Sequence, residues 1–211
     1  QIASIVGNSG CGKSTLLNLL SGLLLANSGT INVHSTFSYL TQITTLLPYR
    51  NSFENSLLAC ELRNTLNTHK EEQASFLFQL FNLSINTKSK FPNELSGGMK
   101  QRVGLIQTLL VDAGLFLLDE PFNAIDRNTS LVIQNFIWNK LKNEKSSAII
   151  VTHDLDQSIL MSDKILIMSS GTNIYKEIIF DKQFTLLSPN QRINTELYNE
   201  YLIQMIKSLN A

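Results

Sequence analysis

The chain predicts an α/β fold: a mainly parallel sheet flanked by helices, with a helical subdomain inserted between strands. Three observations carry this. Short, nearly continuous apolar runs at 1–6, 115–119 and 147–152 read as strands covered on both faces, as in parallel sheets. Each run is followed by a loop and then by a segment that reads as the start of a helix, the alternation that builds such a sheet. Between 53 and 83 the pattern turns wholly helical, with Leu57, Leu58 and Leu62, then Ala74, Leu77, Phe78 and Phe81, at intervals of three and four.

The first strand runs into Gly7-Asn8-Ser9-Gly10-Cys11-Gly12-Lys13-Ser14-Thr15, which has the form of a phosphate-binding loop. Glycines at 7, 10 and 12 let the backbone curl so that several N–H groups point into one cavity. The helix starting near Lys13 adds the partial positive charge of its N-terminus. Lys13 can reach the outer phosphates as a point charge, and the Ser14 hydroxyl can hold a Mg2+ that bridges them. The plain alternative is a glycine-rich turn capping an ordinary helix. Cys11 is either a thiol activated by that helix N-terminus, whose oxidation would block the loop, or a passive small residue. The helix carries Leu16, Leu17, Leu19, Leu20 and Leu23, apolar almost all round, and is expected to be buried.

After a turn at 27–29, segments 30–33 and 36–40 read as short strands leading to Gln42. The helical lobe closes at 91–94 and leads into Leu95-Ser96-Gly97-Gly98-Met99-Lys100-Gln101-Arg102, a second glycine-bearing helix start. Ser96 is its expected N-cap, and Val103, Ile106, Leu109 and Leu110 lie along one face. Its exposed N–H groups suit another anion. The strand at 115–121 ends in Asp119 and Glu120, at the edge where α/β sheets bind ligands. There Asp119 would face a metal and Glu120 would polarise a water, unless the pair is a solvated strand end.

The loop 123–126 opens a helix with Val132, Ile133, Phe136, Ile137 and Leu141 on its inner face. His153 directly follows the strand at 147–152. Alone it reads as structural, and it gains a functional reading only by sharing an edge with Asp119. Asp154 reads as a helix cap. Segments 164–168 and 173–179 look like strands paired around 169–172. The last stretch, 195–209, places Tyr198, Tyr201, Leu202, Met205 and Leu209 on one helical stripe, which covers the core or meets a partner.

At 211 residues the chain can bury one domain with a sub-lobe. Charged residues are 16%, with Lys+Arg and Asp+Glu at 17 each, a balance that does not favour a general nucleic-acid binder, and no nucleic-acid partner is expected. Cys11 and Cys60 form no metal or redox spacing and fit a reducing compartment. The longest apolar run, 16–26, is broken by Asn18, Ser21 and Gly22 and is too short to span a bilayer. No signal peptide is visible. Gln1 is no initiator, and the first strand reaches the loop within six residues, so upstream material is expected to be missing.

With the phosphate loop, the Leu-Ser-Gly-Gly stretch, the Asp-Glu strand and the late histidine in this order, most of the chain resembles an ATP-binding cassette (ABC) domain, a P-loop NTPase. The resemblance implies that residues 7–15 are the Walker A loop that binds ATP, and that 115–120 are Walker B, with Asp119 on Mg2+ and Glu120 as catalytic base. It places Gln42 at the Q-loop glutamine, which senses metal and water. Ser96, Gly97 and Gly98 match the signature sequence, which completes the site of a second ATPase protomer in a head-to-tail dimer. Asp126 matches the D-loop aspartate, and His153 matches the switch histidine that contacts the γ-phosphate. Two composite sites per dimer follow, and hydrolysis opens the dimer.

Leu46-Leu47-Pro48, the 99–102 ending of the signature, and Thr152-His153-Asp154-Leu155-Asp156 resemble the ATPase subunits of bacterial nitrate, sulfonate or taurine importers. That implies an ATP-binding core at 1–45 and 96–211, and a helical subdomain at 46–95. It also implies a permease groove over about 43–95, an indirect solute-binding protein, and a peripheral place on the cytoplasmic side of the inner membrane. The family stacks adenine on an upstream aromatic residue that has no counterpart here, and the stretch from Thr15 to Gln42 is short. Gln107, Asn123 and Ile125 stand in place of Arg, Ser and Leu. Two other readings stay open: a non-transport ABC ATPase acting on DNA or ribosomes, and a subunit that binds nucleotide without hydrolysing it. The transported solute is not legible.

Overall fold

The computed structural model describes residues 1–169 and 174–209. Its sheet consists of β1 (Ile2–Gly7), β2 (Phe37–Leu40), β3 (Leu115–Asp119), β4 (Ser147–Val151), β5 (Lys164–Met168) and β6 (Ile174–Ile179). The spatial order is β2-β3-β4-β1-β5-β6. The first five strands are parallel and only β6 runs against its neighbour. Ile5 of the central strand β1 pairs with Val151 on one side and Leu166 on the other. Parallel strands end on the same edge, so the chain leaves β1, β2, β3 and β4 on one side of the molecule at residues 7, 40, 119 and 151.

Alternation along the strands sends side chains to two unlike faces. Ile5, Leu117, Val151 and Met168 meet Leu17 of α1 (Lys13–Leu20), a small layer formed by one short helix. Ile2, Leu40, Phe116, Leu118, Ala148 and Ile150 point the other way, into the largest core. There they join α4 (Gly97–Leu109), α5 (Arg127–Asn143) and the helical lobe of α2 (Ser52–Leu62) and α3 (Thr68–Leu80). The lobe therefore shares its core with the sheet: Leu57, Cys60, Ala74, Phe78 and Phe81 belong to the same cluster as Phe116 and Ile133. Beside it, Val6, Ile165 and Ile167 pack with α6 (Leu155–Met161) and α9 (Glu196–Leu209).

Caps fall where side-chain chemistry puts them. Asn51, Ser96, Asp126 and Asp154 each accept a backbone N–H from the first turn of the helix they open. The terminal stripe covers the core, with Tyr198 and Met205 buried, and the Tyr198 hydroxyl donates to Asp156 Oδ1 at 2.5 Å. The connection through α7 (Lys182–Leu186) and α8 (Pro189–Arg192) is pinned by Arg192. That side chain is fully buried and donates to the carbonyls of Ile159, Ser162, Thr185 and Leu187. Burial pulls its pKa down to about 10.

Some expectations fail, and one falls outside the described residues. Segment 30–33 is not a strand, because no neighbouring strand among the described residues offers it a ladder, and a lone extended segment has no hydrogen bonds to hold it. The leucine-rich helix stops at Leu20 and buries Leu17 but not its whole circumference. Leu23 lies beyond its end and is 66% exposed, since a helix lying alone on a sheet face has an outer side with nothing to pack against. Leu62 and Val132 also face outward, the former at the last position of its helix and the latter one residue off the buried line of Ile133, Ile137 and Leu141. The expected turn at 169–172 and the start of its second strand at Asn173 lie outside the described residues, apart from Ser169.

Candidate active site

The loop after β1 enters α1 through Gly12, whose φ of 98° lies in the left-handed region open mainly to glycine. No side chain caps this helix, so the N–H groups of its first turn are not consumed by a cap. The Lys13 ammonium donates to the carbonyls of Gly7 at 2.8 Å and Asn8 at 2.9 Å. Cys11 is buried beneath the loop among Ile5, Leu17 and Met168, with the Lys13 ammonium 3.7 Å from its Sγ.

Gly10, Gly12, Lys13, Ser14 and Thr15 form one wall of a cavity of about 380 Å³, and Gln42, Asp119, Glu120 and His153 close it from the ends of β2, β3 and β4. Asp119 is 2% exposed, and its Oδ1 has no hydrogen-bond partner. Burial pushes its carboxyl above the usual carboxylate range, while the nearby Ser14 hydroxyl and Lys13 ammonium act against the shift. Burial, and then the Asp119 charge, also raises the Tyr39 hydroxyl to about 12.

A buried carboxylate oxygen without a donor is costly unless a cation meets it. One carboxylate beside one hydroxyl fits a hard, oxygen-ligated ion that takes its remaining ligands from phosphate and water, as Mg2+ does. Among the described residues no three His, Cys, Asp or Glu side chains assemble into a self-sufficient metal cage.

Glu120 is held more tightly. Its backbone sits at φ 49°, its N–H donates to Val151 O at 2.9 Å, and its side chain is 10% exposed. Its Oε1 accepts from the His153 backbone N–H at 3.1 Å and from His153 Nδ1 at 2.8 Å, and Oε2 accepts from the Thr152 hydroxyl at 3.4 Å. His153 itself is 71% exposed, so the pair runs from the cavity wall to its mouth.

The structure does not bring Ser96, Gly97, Gly98 or Asp126 into this cavity. Ser96 Oγ accepts from Met99 N–H at 3.3 Å at the head of α4, and Ser96 and Gly97 face outward. Gly98 packs so closely on the loop before α5 that a Cβ there would lie 2.5 Å from Ala124 O. The Asp126 carboxylate accepts from Thr129 N–H at 3.0 Å, which holds its pKa below the usual range. Gln42 belongs to both places: it also lines a neighbouring hollow of about 290 Å³ with Gly97 and Asn123. Thr152, whose hydroxyl meets Glu120, was not among the expected site residues, and the signal available for it was a polar residue ending an otherwise apolar strand run.

A mostly parallel sheet that places a glycine-rich loop, a helix N-terminus and a strand-end acidic pair around one cavity defines a P-loop nucleotide hydrolase. The family model described as ABC transporter matches residues 1–123. YtlC of Bacillus subtilis, an ABC transporter ATP-binding protein, is 36% identical over 196 residues, covering 88% of this chain and 75% of YtlC. The nitrate transport protein NasD of Klebsiella oxytoca is 34% identical over 181 residues, 81% of this chain and 69% of NasD. Among solved structures, the dimeric post-hydrolysis state of the ATP-binding cassette MJ0796 bound to ADP and Pi aligns with a TM-score of 0.77 at 22% identity, over 86% of each chain. This chain belongs to the ABC transporter family, as one of its ATP-binding, ATP-hydrolysing subunits.

Proposed function

We propose that this chain energises a small-solute importer as a head-to-tail pair with a second ATPase protomer, docked on a permease at the cytoplasmic face of the inner membrane. The observation that carries the reading is the meeting of Lys13, Ser14, Gln42, Asp119, Glu120 and His153 around one cavity, with a buried Asp119 oxygen that lacks a partner.

The loop N–H groups and Lys13 bind the β- and γ-phosphates of ATP, Lys13 giving up its carbonyl partners to do so. Ser14 and Asp119 would hold Mg2+, which when bound neutralises phosphate charge. Gln42, at the junction of the two hollows, lies where the attacking water and the metal would both be sensed. Glu120 accepts the proton of that water as it attacks the γ-phosphorus and the bridging P–O bond to ADP breaks. His153 braces the Glu120 carboxylate and, being exposed, reaches toward the γ-phosphate.

Ser96, Gly97 and Gly98, with Asp126 beside them, complete the partner's site. The exposure of Ser96 and Gly97 at a helix N-terminus outside the chain's own cavity supports this. The 46–95 segment receives the permease, supported by exposed Tyr49, Leu62, Phe76 and Ile85 on that lobe. No helix among the described residues is long and apolar enough to cross a membrane. The permease and an associated solute-binding protein would select the solute.

The deciding measurement is the sedimentation mass of Glu120→Gln with and without Mg-ATP. The expected result is a dimer only with Mg-ATP, abolished by adding Lys13→Ala. A mass that ignores nucleotide, together with unimpaired ATP binding in Lys13→Ala, would overturn the reading.

A further inference from the structure

We propose that Gln101 is a positioning residue for Glu120, latched by Thr44, so that the loop carrying Gln42 and the backbone carrying the base are held as one piece. The inference rests on the reading of Glu120 as the base.

Gln101 lies one turn into α4 and is only 7% exposed. Both ends of its amide are used across elements. Nε2 donates to the Glu120 carbonyl at 3.3 Å, and Oε1 accepts from the Thr44 hydroxyl at 2.7 Å. Thr44 follows Gln42 by two residues, and its methyl lies directly over Gly104, where a Cβ would sit 2.3 Å from Thr44 Cγ2. The glycine thus lets the loop lie flat on the helix at the height where Gln101 can reach it.

The other end of the latch meets strained backbone. Glu120 is a non-glycine residue at φ 49°, a conformation that costs about 1 kcal/mol and persists only when its surroundings impose it. Its N–H is tied to Val151 O of β4 and its carbonyl accepts from Asn123 N–H at 3.1 Å within the turn, so the Gln101 amide is the contact that ties this carbonyl to α4. A general base must address its water within a few tenths of an ångström, and a misplacement of about 1 Å can cost about 100-fold in rate. Cutting the latch should therefore leave nucleotide binding intact and impair turnover.

Three variants separate positioning from simple packing. Gln101→Leu keeps the volume and removes both bonds, Thr44→Val keeps the shape and loses the hydroxyl, and Thr44→Ser retains the hydroxyl. Steady-state hydrolysis of Mg-ATP by the first two is expected to show kcat lowered by about tenfold with KM within about twofold, and Thr44→Ser should stay within about twofold of the unmodified chain. The double variant Gln101→Leu/Thr44→Val should be no worse than the poorer single, because both cut one latch.

Hydrogen exchange gives a readout that does not need turnover. In Gln101→Leu the amides at 120–123, those of Glu120, Phe122 and Asn123, should exchange about tenfold faster while those of β1 and α5 keep their rates. Unchanged exchange at 120–123, or loosening of the whole chain, would overturn the proposal, as would equal loss in Thr44→Ser and Thr44→Val. Glu120→Gln is assayed alongside. If it hydrolyses ATP at the unmodified rate, the reading of Glu120 as base fails, and exchange at 120–123 still decides whether Gln101 holds that backbone.

Discussion

The heads of α1 and α4 carry the same two ingredients, glycine and a helix N-terminus, and the structure uses them in opposite ways. At α1 the chain enters through a left-handed glycine with no side-chain cap, and the following residues line a cavity that also holds Asp119 and Glu120. At α4 the chain enters through extended Ser96, whose hydroxyl consumes one first-turn donor, and the turn lies at the surface. Its glycine serves contact instead: Gly98 lets α4 press against the Ala124 carbonyl. The partial charge of a helix terminus is the same in both places, so the dipole alone does not make a site. What separates them is the company each keeps. The first has a lysine, a hydroxyl and a buried acid within its own chain. The second presents donors outward, away from the buried Asp119 and Glu120, which suits half of a site shared with another protomer.

The sharpest way to break this contrast is Lys13→Ala against Ser96→Ala, followed by calorimetric titration with Mg-ATP. Lys13→Ala is expected to weaken binding by about 100-fold, the loss of a charge-assisted phosphate contact, while Ser96→Ala leaves the affinity of the single chain unchanged. Equal losses would erase the distinction.

Next in size are the glycines themselves, compared by thermal unfolding. Gly98→Ala must move a backbone carbonyl and is expected to cost about 1–3 kcal/mol, and Gly12→Ala, at φ 98°, about 1–2 kcal/mol. Only the second should also weaken nucleotide binding. If Gly98→Ala alone did so, the two heads would have been assigned the wrong way round.

The cap gives a smaller effect. Ser96→Ala should lower the melting temperature by about 2–4 °C through the loss of about 1 kcal/mol. No fall would show that this terminus is not held by its own hydroxyl.

The smallest effect lies in the neighbouring cap. The Thr129 N–H holds the Asp126 carboxyl below its usual pKa, so its contribution is present at neutral pH and is lost as pH falls through that depressed value. Asp126→Ala should melt slightly below its parent at pH 7 and converge with it in acid, below the ordinary carboxylate range, and a gap that persisted there would exclude the charged cap as its source.

Much of this molecule follows from local chemistry. Apolar runs become strands, Ser96, Asp126 and Asp154 cap helices because their short side chains reach a first-turn N–H, and three- and four-residue spacing builds α3, α4 and α5. Most residues that line the cavity were legible for the same reason, since parallel strands end on one edge, Asp119 and His153 stand at or just beyond a strand end, and Lys13 opens the helix that follows β1.

The failures share a different cause. Whether Leu23, Leu62 and Val132 are covered, whether 30–33 finds a ladder, and where Arg192 finds four carbonyls all depend on which distant segment arrives next to them. Local sequence therefore determined the elements, their caps and the edge on which the site would form. Only the tertiary structure decided that one sheet face would carry a single short helix, that Glu120 would be braced by His153, and that Gln101 would join Thr44 to its carbonyl. Propensity and capping act within a few residues of chain, whereas burial and cross-element hydrogen bonds are settled by segments as much as 161 residues apart packing at atomic contact.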